Sequence, residues 1–77
     1  MVIIVKGYAS FGRFTVQLEP GGKVTVPDST TVTDMMGRLK IPEDIRVITM
    51  INGRHCTPDH PLRQGDKLLF FPPLEGG

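Results

Sequence analysis

The stretch that decides the fold is Lys67-Leu68-Leu69-Phe70-Phe71-Pro72-Pro73-Leu74-Glu75-Gly76-Gly77. Its first five residues are densely apolar and predict a buried strand, which the two prolines end because proline has no N–H for sheet pairing. Gly76 and Gly77 have no side chains, so an extended backbone at this point fits a narrow channel. A glycine carboxylate there is ionised at neutral pH and reacts only after activation, for example by ATP-dependent adenylation. We therefore expect the chain to act through this end.

Composition indicates one small globular domain. The chain has 77 residues, of which 39% are hydrophobic and 22% charged, and that length favours a single domain. Nine Lys and Arg against eight Asp and Glu give a net charge of +1 without charge blocks, so no nucleic-acid partner is expected. No apolar run approaches the roughly 20 residues of a bilayer span, which favours a soluble cytoplasmic protein with no membrane partner. Its single cysteine, Cys56, cannot form an internal disulfide and fits a reducing compartment.

The first half of the chain predicts two or three strands. The β-branched run Val2–Val5 indicates a central strand that is buried on both faces. Residues 14–19 alternate between apolar and polar types, which predicts a strand with Phe14, Val16 and Leu18 on a buried face. Residues 23–26 predict another short strand. The sequence leaves open which of these two segments pairs with the first strand.

A short helix follows. Thr31 and Asp34 have the spacing of a capping box, and Pro42 stops the helix near Lys40. Apolar residues at helical spacing form one face that must pack on the sheet: Val32, Met35, Met36 and Leu39.

The second half predicts a hairpin and a final strand. Residues 47–51 indicate a strand, and Asn52-Gly53 is a strong signal for a tight turn because both residues accept positive φ. The polar residues 54–57 suit an edge strand, and Gly65-Asp66 predicts a turn that the Asp side chain holds by accepting backbone N–H groups. In this order of elements, the first and last strands can lie side by side as a central parallel pair.

Residues 59–77 resemble the C-terminal third of the MoaD/ThiS family of ubiquitin-like sulfur carriers, most closely its MoaD branch, the small subunits of molybdopterin synthase. The shared features are a Leu62-x-x-Gly65-Asp66 turn, an apolar strand ending in Phe-Phe-Pro-Pro, and Gly76-Gly77. The resemblance implies an α+β fold of the β-grasp (ubiquitin-like) type, with a mixed sheet of four to five strands packed on one short helix. It assigns residues 1–73 to this domain and residues 74–77 to a flexible diglycine tail.

The resemblance also implies a reaction. In this family an E1-like adenylyltransferase of the MoeB/ThiF type activates the terminal glycine, here Gly77, and supplies the ATP and magnesium. A sulfur donor protein then converts the adenylate to a thiocarboxylate. A MoaD-like carrier passes this sulfur to molybdopterin at a MoaE-like large subunit of molybdopterin synthase. The chain is then a co-substrate and not an enzyme by itself, it binds no cofactor, and Gly76 keeps the tail thin.

The remaining predicted site residues contact partners. Phe71 and Leu62 are the candidates on the sheet surface beside the tail, since one of the two neighbouring Phe rings must face away from the core. The other predicted contacts are in the tail and its base: Pro72, Pro73, Leu74 and Glu75. The prolines stiffen the arm and Leu74 is an apolar anchor. Glu75 replaces the small or hydroxylic residue often found in MoaD tails, which leaves the partner open.

Several alternatives stay open. The chain could supply sulfur for thiamine thiazole or tRNA thiolation, act as a ubiquitin-like modifier joined to lysines through Gly77, or be a β-grasp interaction module with an incidental tail. His55, Cys56 and His60 lack a fourth ligand for structural zinc, so no metal site is predicted. Cys56 has no surrounding motif of a nucleophile, and the aromatic and basic residues of the first loop favour packing over recognition.

Overall fold

A five-stranded mixed sheet and one short α-helix form the described part of this computed structural model, which comprises residues 1–16, 18 and 20–73. The strands are β1 (Val2–Gly7), β2 (Lys23–Thr25), β3 (Ile48–Ile51), β4 (Arg54–His55) and β5 (Lys67–Phe71). A 3₁₀ helix (Ala9–Phe14) follows β1, and the α-helix α1 (Val32–Arg38) lies between β2 and β3. No helix in these ranges is long and apolar enough to cross a membrane.

The centre of the sheet is the parallel pair β1 and β5, in the strand order β2-β1-β5-β3-β4. Ile4 is paired with Lys67 and Gly7 with Phe70. β3 runs antiparallel along the other side of β5, and β2 runs antiparallel to β1. The predicted central parallel pair is therefore confirmed, and residues 23–25 are the segment that pairs with the first strand. The predicted β-grasp arrangement is confirmed with it.

The core lies between one face of the sheet and α1. Buried side chains of both layers form a single cluster, which includes Ile3, Val5, Val32, Met35, Leu39, Leu68 and Phe70. Val2 and Ile4 alternate with the buried residues of β1 and are only half-buried. The prediction that β1 is buried on both faces was wrong, because the helix covers only one side of the sheet.

The helix begins with the predicted capping box. Thr31 Oγ1 accepts a hydrogen bond from Asp34 N at 3.1 Å, and Asp34 Oδ2 accepts one from Thr31 N at 3.0 Å. This satisfies two N–H groups that the helical backbone leaves unpaired. The helix ends at Arg38, and the nearby Lys40 has a φ of 61°, which is not helical. The helix therefore ends close to the residue that the sequence predicted. Met36 of the predicted apolar face is half-buried.

The predicted strand at residues 14–19 was wrong. Phe14 ends the 3₁₀ helix, a turn follows at Thr15 and Val16, and the Val16 side chain is 78% exposed. Phe14 and Leu18 are half-buried against the core, while Gln17 and Glu19 lie outside the described residues. Both edges of β1 are taken by β2 and β5, so this segment has no central strand to pair with.

The hairpin of β3 and β4 follows the prediction closely. β3 begins at Ile48, one residue later than expected, and β4 covers only residues 54–55 of the predicted 54–57. Asn52 and Gly53 have φ values of 53° and 84°, as a two-residue type I′ turn requires. β4 lies at the edge of the sheet, where the sequence placed a short polar strand.

Candidate functional site

A stacked pair of aromatic rings, partly exposed to solvent, marks the end of β5. The rings of Tyr8 and Phe71 stack with their centroids 4.7 Å apart and their planes 5° from parallel. Tyr8 is 42% exposed, Phe71 is half-buried, and the neighbouring Phe70 is fully buried. Tyr8 N donates to Phe70 O at 2.9 Å, which fixes the first loop against the end of the strand. We call Tyr8 and Phe71 the aromatic pair.

The prediction that Phe71 faces away from the core is confirmed, since strand alternation sends Phe70 into the core and Phe71 to the opposite face; its contact with a partner stays a prediction. The exposed contact of Tyr8 with Phe71 was not predicted, because the first loop was interpreted as packing. That interpretation holds for Phe11, which is 1% exposed. Arg13 lies over the Phe14 ring at 4.8 Å from its centroid. No local sequence signal places Tyr8 beside Phe71, because the contact depends on the long-range pairing of β1 with β5.

The aromatic pair borders an apolar sheet face on the side away from α1. Register places half-buried residues of neighbouring strands side by side on this face: Phe71 beside Ile48, and Leu69 beside Met50. Ile4 is also half-buried there, beside the exposed Lys67. Exposed Lys6 and Lys23 share the face through their pairing with Leu69 and Ile4. An apolar centre with a positively charged border is suited to docking a protein partner. We call this surface the sheet face.

The prediction that Leu62 contacts a partner was wrong. Its side chain is 3% exposed and belongs to the core cluster, and Leu62 N donates to Thr30 O at 2.8 Å. The leucine anchors the loop before β5 because it fills space under the helix layer. It is therefore a structural residue of the Leu-x-x-Gly-Asp motif.

The Gly65-Asp66 turn sets the start of β5 as predicted. Asp66 Oδ2 accepts from Arg63 N at 2.8 Å, and its Oδ1 accepts from Asn52 Nδ2 at 2.9 Å. Asn52 Oδ1 in turn accepts from Lys67 N at 3.0 Å. Gly65 has a φ of 83°, a conformation that favours glycine. These bonds join the hairpin turn to the first residue of β5 and fix where the strand begins.

The base of the tail lies at the other end of β5. The strand ends at Phe71, and Pro72 and Pro73 are half-buried beyond it, which confirms the predicted proline stop. The six residues after Phe71 reach at most about 20 Å at 3.3 to 3.6 Å per residue. Leu74, Glu75, Gly76 and Gly77, and with them the predicted flexible tail, lie outside the described residues and stay predictions.

A family model described as the ThiS family matches residues 11–77, from the first loop through Gly76-Gly77. The chain belongs to the ThiS family. A curated relative, the molybdopterin synthase sulfur carrier subunit of Escherichia coli (strain K12), is 43% identical over 35 residues. The match covers 46% of this ThiS-family chain and 43% of the relative, which is less than half the length of either protein.

Solved structures share the fold of this ThiS-family chain along nearly its whole length. A putative molybdopterin converting factor subunit 1 from Pyrococcus furiosus has a TM-score of 0.73 at 23% identity and covers 96% of this chain and 99% of its own. Small archaeal modifier protein 1 from Haloferax volcanii appears in two structures, each at 19% identity. One has a TM-score of 0.67 and covers both chains fully. The other has a TM-score of 0.69 and covers 95% and 98%. At these identities the similarity shows the fold alone.

Cys56 of this ThiS-family chain lies in a structural hydrogen-bond pair. Its Sγ donates to Thr49 Oγ1 at 3.4 Å, and that hydroxyl donates to Cys56 O at 3.2 Å. The thiol is half-buried, and the flanking His55 and the nearby His60 are exposed. Across the residues that the structure describes, no group of three or more His, Cys, Asp or Glu is arranged to hold a metal ion. The contacts of Cys56 therefore connect β3 to the segment after β4.

Proposed function

We propose that this ThiS-family protein is a sulfur carrier whose C-terminal Gly77 donates sulfur in molybdopterin biosynthesis. One observation carries the proposal: the central strand β5 ends at a partly exposed aromatic pair, and the sequence continues from there as Pro-Pro-Leu-Glu-Gly-Gly. A docking surface and a reactive arm therefore begin at the same point. The partial similarity to the molybdopterin synthase sulfur carrier subunit of E. coli supports molybdopterin as the recipient.

The reaction begins at a partner enzyme. A Gly77 carboxylate oxygen attacks the α-phosphate of ATP, pyrophosphate leaves, and a mixed anhydride with AMP forms. A hydrosulfide equivalent from a sulfur donor protein then attacks the carbonyl carbon, and AMP leaves to give the thiocarboxylate. An E1-like enzyme of the MoeB/ThiF type supplies the ATP, the magnesium and the catalytic groups, so this chain serves as its substrate.

The residues of this chain position the arm. The aromatic pair and the sheet face dock on the partner. The stacked rings of Tyr8 and Phe71 form a rigid contact surface that loses little entropy on binding. Pro72 and Pro73 restrict the backbone at the base of the arm. Leu74 is the proposed apolar anchor in the partner. Gly76 has no side chain, so the arm can pass through a narrow channel. The same arm then delivers sulfur at a MoaE-like large subunit.

Intact mass spectrometry tests the proposal. The purified protein is incubated with the E1-like enzyme and sulfur donor from the same cells, ATP and magnesium. We expect the mass to rise by the difference between one sulfur and one oxygen atom. A variant lacking Gly76 and Gly77 should show no increase, while the helix variant Gly37→Ala should react fully.

The recipient is tested with the thiocarboxylate form. A MoaE-like subunit and the sulfur-free pterin precursor should consume it and yield the dithiolene product. If only a thiazole-forming system or a tRNA-thiolating system consumes the thiocarboxylate, the recipient is not molybdopterin, but the protein is still a sulfur carrier. Lysine conjugates in a blot, without any thiocarboxylate, would show a protein modifier and contradict the proposal.

A further inference from the structure

A basic cleft lies between the edge strand β4 and the loop that leads to β5. It has a volume of about 610 Å³, and its lining includes Arg54 and His55 from the strand and His60 and Arg63 from the loop. We call this site the basic cleft. The whole chain has a net charge of only +1, so two arginines and two histidines in one cleft are a local concentration of cationic and hydrogen-bond donor groups.

Both walls of the basic cleft are held by backbone hydrogen bonds. On the loop side, His60 O accepts from Val32 N at 3.1 Å and Leu62 N donates to Thr30 O at 2.8 Å. On the strand side, β4 pairs with β3, and Cys56 N donates to Thr49 O at 3.3 Å. A binding surface with such fixed walls loses little conformational entropy when a ligand binds.

Two acids, Asp66 and Asp59, lower the net positive charge at the cleft, but neither forms an ion pair with an arginine of the cleft among the residues that the structure describes. Asp66 lines the cleft, but both of its oxygens already accept hydrogen bonds, from Asn52 and Arg63 N. The nearby Asp59 is exposed, and its carboxylate accepts from the Thr57 hydroxyl at 2.6 Å. Within residues 1–16, 18 and 20–73, neither the Arg54 nor the Arg63 guanidinium forms an ion pair. These two groups are therefore available to an external carboxylate.

The arginines of the basic cleft lie near the start of β5, away from the base of the tail, whereas His55 and Cys56 also line a neighbouring groove that includes Pro73. Asp66, which lines the basic cleft, precedes the first residue of β5, whereas the aromatic pair lies at the last. The four steps from Lys67 to Phe71 along β5 extend about 13 Å at 3.3 Å per residue. A partner could therefore occupy the cleft while the tail enters an active site.

We infer that the basic cleft binds an acidic peptide segment of a partner protein. Guanidinium groups pair with carboxylates in a bidentate geometry, and Arg54 and Arg63 offer one group from each wall. The cleft also includes the apolar side chains of Ile51 and Pro61. Its open shape and mixed lining fit an extended chain of carboxylates and aliphatic groups better than a single phosphate. The inference does not depend on the chemistry of Gly77.

The test is a titration of ¹⁵N-labelled full-length protein with a hexaglutamate peptide, followed by amide chemical shifts. We expect the shifts to change at Arg54, His55 and Arg63, and binding to weaken as salt is added, because exposed charge pairs are screened. Hexaglutamine is the neutral control peptide and should leave these amides unchanged.

Charge-reversal variants locate the binding site. Arg54→Glu and Arg63→Glu should each weaken peptide binding about tenfold. The matched control Arg38→Glu, at the end of α1 and outside the cleft, should change it by less than about twofold. If a charge-reversal variant changes the amide spectrum throughout the protein, the neutral variants Arg54→Gln and Arg63→Gln are measured in its place. They should also weaken peptide binding.

Three results would overturn the inference. The first is a set of shift changes on the sheet face and none at the cleft. The second is an equal loss of affinity in the Arg38→Glu control. The third is displacement of the peptide by inorganic phosphate at equal concentration, which would make the cleft a site for small phosphate anions.

Discussion

At the scale of single residues, Asp66 helps to fix where β5 begins. Its carboxylate accepts one hydrogen bond from the loop before β5 and one from the hairpin turn between β3 and β4. A carboxylate bound by two N–H donors holds both segments in a fixed relation. The position of β5, and hence of Phe71 at its far end, is therefore set by polar contacts as well as by core packing.

Asp59 provides a pH-dependent prediction. The Thr57 hydroxyl, together with the Asp59 backbone N–H and the neighbouring His60, holds the pKa of the Asp59 carboxyl below its ordinary value of 3.8. Because the pKa is lowered by folding, the contribution of this turn to stability is present above the ordinary pKa and is lost as the pH falls through the lowered one. Thr57→Val should raise the pKa of Asp59, as measured by NMR titration of its carboxyl carbon.

Thr57→Ser is the matched control for this titration. It keeps a hydroxyl donor and should leave the Asp59 midpoint close to that of the unmodified protein. An unchanged midpoint in Thr57→Val would show that the hydroxyl does not stabilise the carboxylate.

Single-residue predictions from the sequence were correct where a local rule applied. Asp66 was predicted to hold its turn, and Thr31 and Asp34 to cap the helix, because these hydrogen bonds join residues three apart. The role of Leu62 was wrong, because its burial depends on how the loop crosses the end of the core. The contact of Tyr8 with Phe71 was missed for the same kind of reason.

At the scale of elements, glycines at different positions have opposite roles. Gly22 precedes β2 with a φ of 78°, and a Cβ there would collide with the Val5 carbonyl. Gly37 lies within α1, and a Cβ there would meet no atom within 4 Å. The first position therefore requires glycine, whereas the second loses helix stability by having it.

Two alanine variants test this difference. Gly22→Ala should lower the free energy of unfolding by at least about 2 kcal/mol, because strained φ and the collision add. Gly37→Ala should raise it by about 1 kcal/mol. Urea denaturation followed by circular dichroism measures both. Equal stability of the two variants would contradict the different roles of Gly22 and Gly37.

The sequence predicted most elements, because capping, turn and periodicity signals are local. Residues 14–19 show why one prediction failed. Their alternation was genuine, and Phe14 and Leu18 do pack against the core, but a strand also needs a free edge to pair with. The edges of β1 are occupied by residues 23–25 and by β5, and only long-range topology reveals this.

At the scale of the whole molecule, the two surfaces for which we propose partner contacts lie at different places. The sheet face and aromatic pair lie beside the base of the tail, and the arginines of the basic cleft lie near the opposite end of β5. The proposed functions of these surfaces can therefore be altered separately by mutation.

Tyr8→Ala tests the aromatic pair. The change removes an exposed ring, so the free energy of unfolding should fall by less than about 1 kcal/mol. KM for adenylation by the E1-like enzyme should rise about tenfold, because an exposed tyrosine is a typical anchor of binding energy. Val16→Ala, at another exposed apolar residue, is the control and should leave KM unchanged. Equal KM values for Tyr8→Ala and Val16→Ala would show that the aromatic pair does not contribute to docking.

The parallel pairing of β1 with β5 has a consequence for biosynthesis. Ile4 can pair with Lys67 only after all the residues between them have been translated, and contacts between such distant residues form late and slowly. Tyr8 and Phe71 meet through the same pairing, so an unfinished or misfolded chain lacks the aromatic pair altogether. A partner that recognises both rings would thereby bind only chains in which the central strand pair has formed.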